Sequence, residues 1–269
     1  MGELWLPIPT PDEQMTIVDY INKETAKIDE AIAQQQRMID LLNERKQIII
    51  THAVTRGLNP DVPLRDSGID WLGQIPAHWK VMRVKYLLKE ENIRSLNGKE
   101  EPLSMSQIYG LIPTKDMEVV PNLASSYIGA KIVKPGNLVF NKLKAHLGVF
   151  NVSNYEGLVS PDYAVYSALE NSNVKFLEYV FKTNKCIGEF IKLITGVGAG
   201  LSRLYTPDLF SIYVALPPLE EQEEIMQYID TQTSNIRSAI FQRQELISFL
   251  QERKRIIINE VVTGKVKIS

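Results

Sequence analysis

The sequence predicts an α+β protein: one mixed α/β domain flanked by two long helices that pair as an antiparallel coiled coil. Three observations predict this. A helical segment occurs twice, 208 positions apart. Both copies carry apolar residues at heptad spacing. The stretch between them breaks into short apolar runs punctuated by proline and glycine.

The repeat comes first. Slid by 208 positions, Glu13-Gln14 falls on Glu221-Gln222 and Tyr20-Ile21 on Tyr228-Ile229. Glu44-Arg45-Lys46 falls on Glu252-Arg253-Lys254, and the Ile48 to Ile50 triplet on Ile256 to Ile258. About half the positions from Glu13 to Thr55 match without a gap, which marks a duplication.

Each copy opens with prolines, Pro7, Pro9 and Pro11 in the first and Pro217-Pro218 in the second. Proline is tolerated before a helix or in its first turn and not inside it. Asp12-Glu13 and Glu220-Glu221 then put negative charge at the positive end of the helix dipole. From there to Thr55 or Thr263 neither copy holds proline or glycine, and Gly57 and Gly264 act as stops. About 43 residues make ~65 Å of helix, long enough to suggest a coiled coil.

In the first copy Ile21, Ile28, Gln35, Leu42 and Ile49 stand seven apart. Ile17, Ala31 and Met38 read as the intervening seam, with Glu24 and Arg45 as polar breaks and Thr25, Ile32 and Ile39 widening the stripe. Ile229, Ile236, Arg243, Leu250 and Ile257 repeat the pattern, with Ile225, Ala239 and Leu246 between them. The polar break shared by both copies, Gln35 and Arg243, is of the kind that fixes register and partner. These ten heptad residues are the expected subunit or dimer interface.

The expected boundaries are a short lead-in at 1–12, the first long helix at 13–57, a linker at 58–79, a central domain at 80–215, and the second helix with its tail at 216–269. The linker, dense in proline and glycine, excludes a long helix, and Trp71, Ile75 and Trp79 are its expected anchors on the domain. Within the domain, strands are expected at 81–83, 86–88, 131–133, 137–140, 148–152, 157–160, 163–166 and 210–216. One helix is expected over 174–193. Together they suggest a curled mixed sheet with flanking helices.

Composition excludes several classes. A net charge of -2 gives no overall basic balance, so a simple DNA-coating protein is disfavoured while a local basic groove stays open. One cysteine, Cys186, allows no intrachain disulfide and no cysteine zinc cluster, which fits a reducing cytoplasm; it reads as buried core. The start of the chain lacks the features of a signal peptide, no apolar run approaches membrane length, and a cytoplasmic location is expected. His52, His78 and His146 have no metal-ligand spacing, so no metal site is expected. No polar-Pro-Pro-aromatic loop for a flipped base and no Gly-Lys-Ser/Thr phosphate loop is present. Gly196 to Gly200 lacks the spacing of a dinucleotide loop. Pro161-Asp162 has no following Glu-x-Lys of a nuclease.

Several motifs now coincide. They are Leu216-Pro217-Pro218-Leu219-Glu220-Glu221-Gln222 at a helix start, the Glu-Arg-Lys and triple-isoleucine ending, Val54-Thr55-Arg56-Gly57, and the linker from Ser67 to Trp79. Together they closely resemble the specificity subunit of type I restriction-modification systems. Gly136 to Leu143 and Val159 to Val165 resemble the core of that family's target-recognition domain. The family usually alternates two recognition domains with two helical regions. This chain carries one between two, and so resembles a half-size form.

The resemblance implies sequence-specific binding of double-stranded DNA, one half-site per chain, with a homodimer reading a bipartite site. It implies docking of methyltransferase and restriction subunits. It also implies a non-catalytic chain that binds no cofactor itself, with S-adenosylmethionine, ATP and magnesium on those partners. DNA readout needs cations for phosphates and polar side chains for base edges. The richest segment is Asn141-Lys142-Leu143-Lys144-Ala145-His146. Lys131, Ser202, Arg203 and Tyr205 join it as DNA-binding candidates, with Lys115, Ser125, Ser126, Tyr127, Lys134 and Thr195 as secondary ones. A second reading stays open. It is a coiled-coil assembly protein, or a truncated or silent variant, whose central domain does not bind DNA specifically.

Overall fold

A capping box starts the chain's first long helix. Thr10 N–H and hydroxyl both donate to Glu13 Oε2 at 2.8 Å, and the Glu13 N–H returns to Thr10 Oγ1 at 3.4 Å. Those bonds hold the Glu13 carboxyl below the usual carboxylate range. The computed structural model describes residues 9–106, 109–117, 126–194 and 203–266. In order it contains α1 Pro11–Arg56, β1 Leu64–Asp66, β2 Gln74–Pro76, β3 Lys80–Arg83, β4 Leu88–Glu91, β5 Leu103–Ser106, β6 Gly110–Pro113, β7 Lys131–Val133, β8 Leu138–Asn141, β9 Phe150–Val152, β10 Gly157–Val159, β11 Tyr163–Ala168, α2 Val174–Phe181, α3 Asn184–Leu193, α4 Thr206–Ser211, β12 Tyr213–Leu216 and α5 Leu219–Val262. Two compact units result, Met1–Lys46 with Thr231–Ser269, and Gln47–Asp230.

In the first unit the two repeat copies meet through long side chains. Arg243 Nη1 donates to Gln35 Oε1 at 2.8 Å, and Lys254 Nζ lies 2.7 Å from both Asp29 oxygens. Moving back along α1 from Gln35 to Asp29 moves forward along α5 from Arg243 to Lys254, so these contacts run in opposite chain directions. The sheltered stripe differs from the expected seam at its intervening positions. Met38 and Leu246 are 41% and 40% exposed, whereas Thr25, Ile28, Ile39, Thr233 and Ile236 are buried. Alternating steps of four and three from Ile21 select Thr25, Ile32 and Ile39, which is the heptad rule applied in the other phase.

The second unit is built on the four-stranded sheet β4-β11-β8-β9, antiparallel throughout, with Val165 opposite both Val139 and Glu91. Successive residues of β8 and β11 face opposite sides. Leu138, Phe140, Ala164 and Tyr166 enter the larger core with Phe176 and Phe181 of α2 and Phe190 of α3. Val139 and Val165 enter a smaller core with Leu103, Leu111, Val133 and Val159. Both faces are therefore covered, which accounts for the unbroken apolar run in β8. Phe140 stacks on Phe150 at 4.3 Å between ring centroids and meets Tyr166, Phe181 and Phe190 edge-on. Buried Glu178 of α2 is satisfied by Asn151 of β9 at 2.8 Å and by Lys175 and Lys182. Cys186 is fully buried, and burial pushes its thiol pKa up.

Four two-stranded pairs surround this sheet: β1-β2, β3-β12, β5-β6 and β7-β10. All named strand pairs are antiparallel, so the single mixed sheet expected from the sequence is replaced by several small antiparallel ones. The helix expected over 174–193 is two. Thr183 breaks it by donating its hydroxyl to Val180 O and accepting the Cys186 N–H, so its side chain competes with the helical bonds. The strand expected over 210–216 starts only at Tyr213, because Pro207 begins the short α4 that ends at Ser211. Residues 84–86 form a 3-10 turn that delays β4 to Leu88.

The linker binds both ends of the domain's frame. Ile75 and Trp79 are buried in the larger core, with Trp71 packed against it. Trp79 Nε1 donates to both Glu221 oxygens at 3.1 Å, and His78 Nε2 lies 2.7 Å from Glu221 Oε2. Gln222, fully buried, donates to Pro217 O at 3.0 Å. Its repeat partner Gln14 makes the equivalent bond to Pro9 O at 2.9 Å, so the duplication preserves the geometry of each helix start.

Gly157 permits the closest backbone approach. A Cβ there would stand 2.3 Å from the Glu101 carbonyl oxygen, which accepts the Leu158 N–H at 2.8 Å. Gly157→Ala is expected to cost roughly 1–3 kcal/mol by forcing β10 away from β5, seen as a lower urea midpoint at unchanged slope.

Candidate nucleic-acid interface

The cationic segment is held by the turn between β8 and β9. Asn141 Oδ1 accepts the Leu143 N–H at 3.1 Å, which tightens the chain as it leaves β8. A 3-10 turn at Ala145–Leu147 follows, closed by Gly148 at φ 70°. That left-handed conformation favours glycine. Val149 N–H then donates to Lys144 O at 3.2 Å, and Asn141 N–H to Val149 O at 3.1 Å. Ala145 is fully buried and pins the middle of the turn, while Lys144 is exposed.

Lys142 is half-buried beside Lys131, Glu90, Asp162 and Arg203. Its ammonium makes no hydrogen bond or ion pair among the described residues. Burial first, and repulsion from Lys131 second, hold its pKa below the ordinary lysine value. Lys142 O accepts the Leu204 N–H at 3.1 Å, which brings Arg203 beside it. Arg203 Nη1 lies 3.5 Å from Asp162 Oδ1, a loose contact in which the Asp162 side chain stays 58% exposed. Asn141 Nδ2 donates to the Tyr163 hydroxyl at 3.3 Å. Burial pushes the Tyr163 phenol pKa up, so it stays protonated.

Tyr163 also lines a cleft of about 410 Å³ with Ser104, Thr114, Ser126, Tyr127 and Ser160. Of the secondary candidates, Ser126 and Tyr127 line that cleft; Lys115 is exposed, 3.3 Å from Glu101, and Lys134 is exposed on the turn before β8. Tyr205 is 45% exposed at the start of α4. His146 is half-buried, with Nδ1 buried and unpartnered among the described residues. Ser125, Thr195, Ser202 and the Gly196 to Gly200 loop lie outside the described residues.

Lys131 departs from its expected role on the surface. It is 3% exposed, with its ammonium 3.4 Å from Glu90 Oε1. The apolar strand Lys131–Val133 carries it inside, so it repels Lys142 from within and does not present charge outside. Sequence reasoning missed Tyr163, Glu90 and Asp162. The first and last lie in Val159 to Val165, a motif already singled out; Glu90 carries no local signal. Chemically, the arrangement offers Lys142, Lys144 and Arg203 to an anion and polar groups to a neighbouring edge. Among the described residues there is no cluster of three or more histidine, cysteine or carboxylate groups able to hold a metal, and no helix is long and apolar enough to cross a membrane.

The family described as Type I restriction modification DNA specificity domain matches residues 76–246. Two proteins of Methanocaldococcus jannaschii are similar along nearly the whole chain. The putative type I restriction enzyme MjaX specificity subunit is 24% identical over 100% of this chain and 60% of its own length. The type I restriction enzyme MjaVIII specificity subunit is 21% identical over 98% and 62%. Among solved structures, a chain from work on complex assembly and conformational transition of the type I R-M system superposes with a TM-score of 0.68. It is 17% identical and covers 97% of this chain and 62% of that one. The HsdS subunit from Thermoanaerobacter tengcongensis superposes with a TM-score of 0.52, at 18% identity over 97% and 60%. The chain thus spans about three-fifths of the length of the curated relatives it matches.

Proposed function

The chain belongs to the type I restriction modification DNA specificity domain family, and we propose that it reads one half of a split DNA site for a type I restriction-modification complex. Specificity subunits of these systems are non-catalytic. Methyl transfer and cleavage fall to partner subunits, which hold the S-adenosylmethionine, ATP and magnesium, all in the cytoplasm.

The observation that carries this reading is Lys142. Its burial and repulsion from Lys131 are offset only in part by Glu90 and Asp162, neither of which forms an ion pair with it among the described residues. A phosphate oxygen would complete the counter-charge, with Lys144 two residues on in the same turn and Arg203 brought beside Lys142 by the Leu204 N–H bond to its carbonyl. Asn141, His146 and Tyr205 are the polar and aromatic groups nearest in the chain to read base edges, and Ser202 extends the set by sequence.

The two long helices act as a coiled-coil spacer. Opposite chain direction at Gln35–Arg243 and Asp29–Lys254 supports an antiparallel pair. Its seam is Ile21, Ile28, Gln35, Leu42 and Ile49 against Ile229, Ile236, Arg243, Leu250 and Ile257. Partner subunits dock on its outside. Large apolar residues are exposed at equivalent positions of both copies, Leu41 with Phe249 and Met38 with Leu246, which supports two like docking patches. One recognition domain reads one half-site, and a second copy of the chain reads the other.

Co-expression with a methyltransferase subunit, followed by mapping of methylated adenines, tests this. The expected sites are two inverted copies of a short motif at a fixed spacing. A methylation pattern unchanged by this chain would refute sequence reading; single motifs without an inverted copy would refute the dimer alone.

A further inference from the structure

The repeat gives the Gln35–Arg243 contact a second meaning. The two residues occupy equivalent positions of the duplication. When two like helices run antiparallel, equivalent residues meet only where a local two-fold axis crosses the pair. Arg243 Nη1 on Gln35 Oε1 at 2.8 Å marks that axis. The ion pair Asp29–Lys254 lies off it, and its equivalents in the other copy are Arg237 and Lys46.

We propose that these residues are a partner code that selects the α1–α5 pair and bars α5 from pairing with a second α5. The proposal rests on the antiparallel pairing inferred above. Replace α1 by another α5 in the same register. Two Arg243 guanidiniums would then face each other on the axis, and each Lys254 would face an Arg237 in place of an Asp29. All three central contacts become repulsive. Two α1 helices would bring together two Gln35 amides, each both donor and acceptor, and would set Asp29 against Lys46. That pair is tolerated. The apolar seam is nearly the same in both copies and cannot make this distinction. Charge at the polar positions can, because like charges held close repel while opposite ones attract. The consequence for assembly is specific: copies of this chain associate by α1–α1 contact or by reciprocal α1–α5 exchange, and never through α5–α5.

The test uses the full chain with spin labels on cysteines replacing the exposed Gln34 and Gln244. Wild-type pairing should give one narrow distance between labels. Gln35→Arg should broaden and lengthen it, and the exchange Gln35→Arg with Arg243→Gln should restore it. A label at Gln244 alone should give no short distance, of the kind two directly facing α5 helices produce, between copies in the wild type. It should give one in Arg243→Gln with Lys254→Asp, which sets Gln against Gln and Arg237 against Asp. An undisturbed distance in Gln35→Arg, failure of the exchange to restore it, or the short distance of facing α5 helices in the wild type would overturn the code. A monomeric wild type would sink the dimer reading and leave the code intact.

Discussion

Replacing Lys142 and Lys144 with alanine is expected to weaken binding to every DNA duplex, whatever its sequence. Each lysine neutralises a phosphate in the proposed interface. A hydrogen bond to a charged group is worth roughly 1.5–3 kcal/mol, so losing the pair should cost roughly a hundredfold to ten-thousandfold in affinity at low salt. The slope of log affinity against log salt should flatten by about 1.8, at ~0.9 for each phosphate left without its lysine. Titrations at several salt concentrations measure both. A loss confined to one sequence would mean that the lysines read bases instead. Stability provides the control. The Lys142 pKa is lowered by burial and by Lys131, so folding disfavours its charged form. The unfolded chain then binds more protons at this site just below the ordinary lysine pKa, so the stability of wild type relative to Lys142→Ala should rise with pH across that window, while Cys186 and Tyr163, whose pKa values burial raises, act in the opposite sense in both proteins. Lys142→Ala should not lower stability at neutral pH, which separates a binding defect from a folding defect.

Trp79→Ala is expected to be the most destabilising of these substitutions. Trp79 is 1% exposed and packs in the core with Leu72 and Ile75. Truncating a buried Trp of this kind costs about 3–5 kcal/mol. It also strips Glu221 of the indole N–H it accepts, at 3.1 Å from each carboxylate oxygen. Against a typical total of about 5–15 kcal/mol, the variant would be marginal. Trp79→Phe keeps most of the volume and should cost about 1–3 kcal/mol for the lost indole hydrogen bond alone, since His78 stays beside Glu221. Urea unfolding of the three proteins measures the difference, and equal midpoints for Phe and wild type would show that the indole N–H adds nothing to what His78 already gives Glu221.

How legible the fold is depends on which signal carries each part. Both long helices can be read from the duplication and from the proline and glycine at their ends. The phase of their sheltered stripe cannot, because Ile17, Ala31 and Met38 make as regular a line as Thr25, Ile32 and Ile39. The strands at 131–133, 138–141 and 150–152 stand out as apolar runs beside turn residues. The β5-β6 hairpin does not, since Ser104 and Ser106 dilute one strand and Gly110 and Pro113 bracket the other. Side chains that act against local propensity are also hidden. Thr183 splits a periodic helix by its hydroxyl, and Pro207 starts a helix where apolar residues suggest a strand. In the candidate site the cluster from Asn141 to His146 can be picked out as a cationic turn between strands. The inward path of Lys131 and the approach of Arg203 to Asp162 come from tertiary pairing, which a single sequence does not display.

Recognition in the proposed sense means that this domain distinguishes one DNA sequence from another. Selection from a random duplex pool by the full chain, repeated at rising salt, tests it most directly. Enrichment of one short motif that persists as salt removes nonspecific complexes is expected, with an inverted pair of that motif wherever two copies of the chain bind together. A bound pool with no enriched sequence at any salt concentration would contradict it.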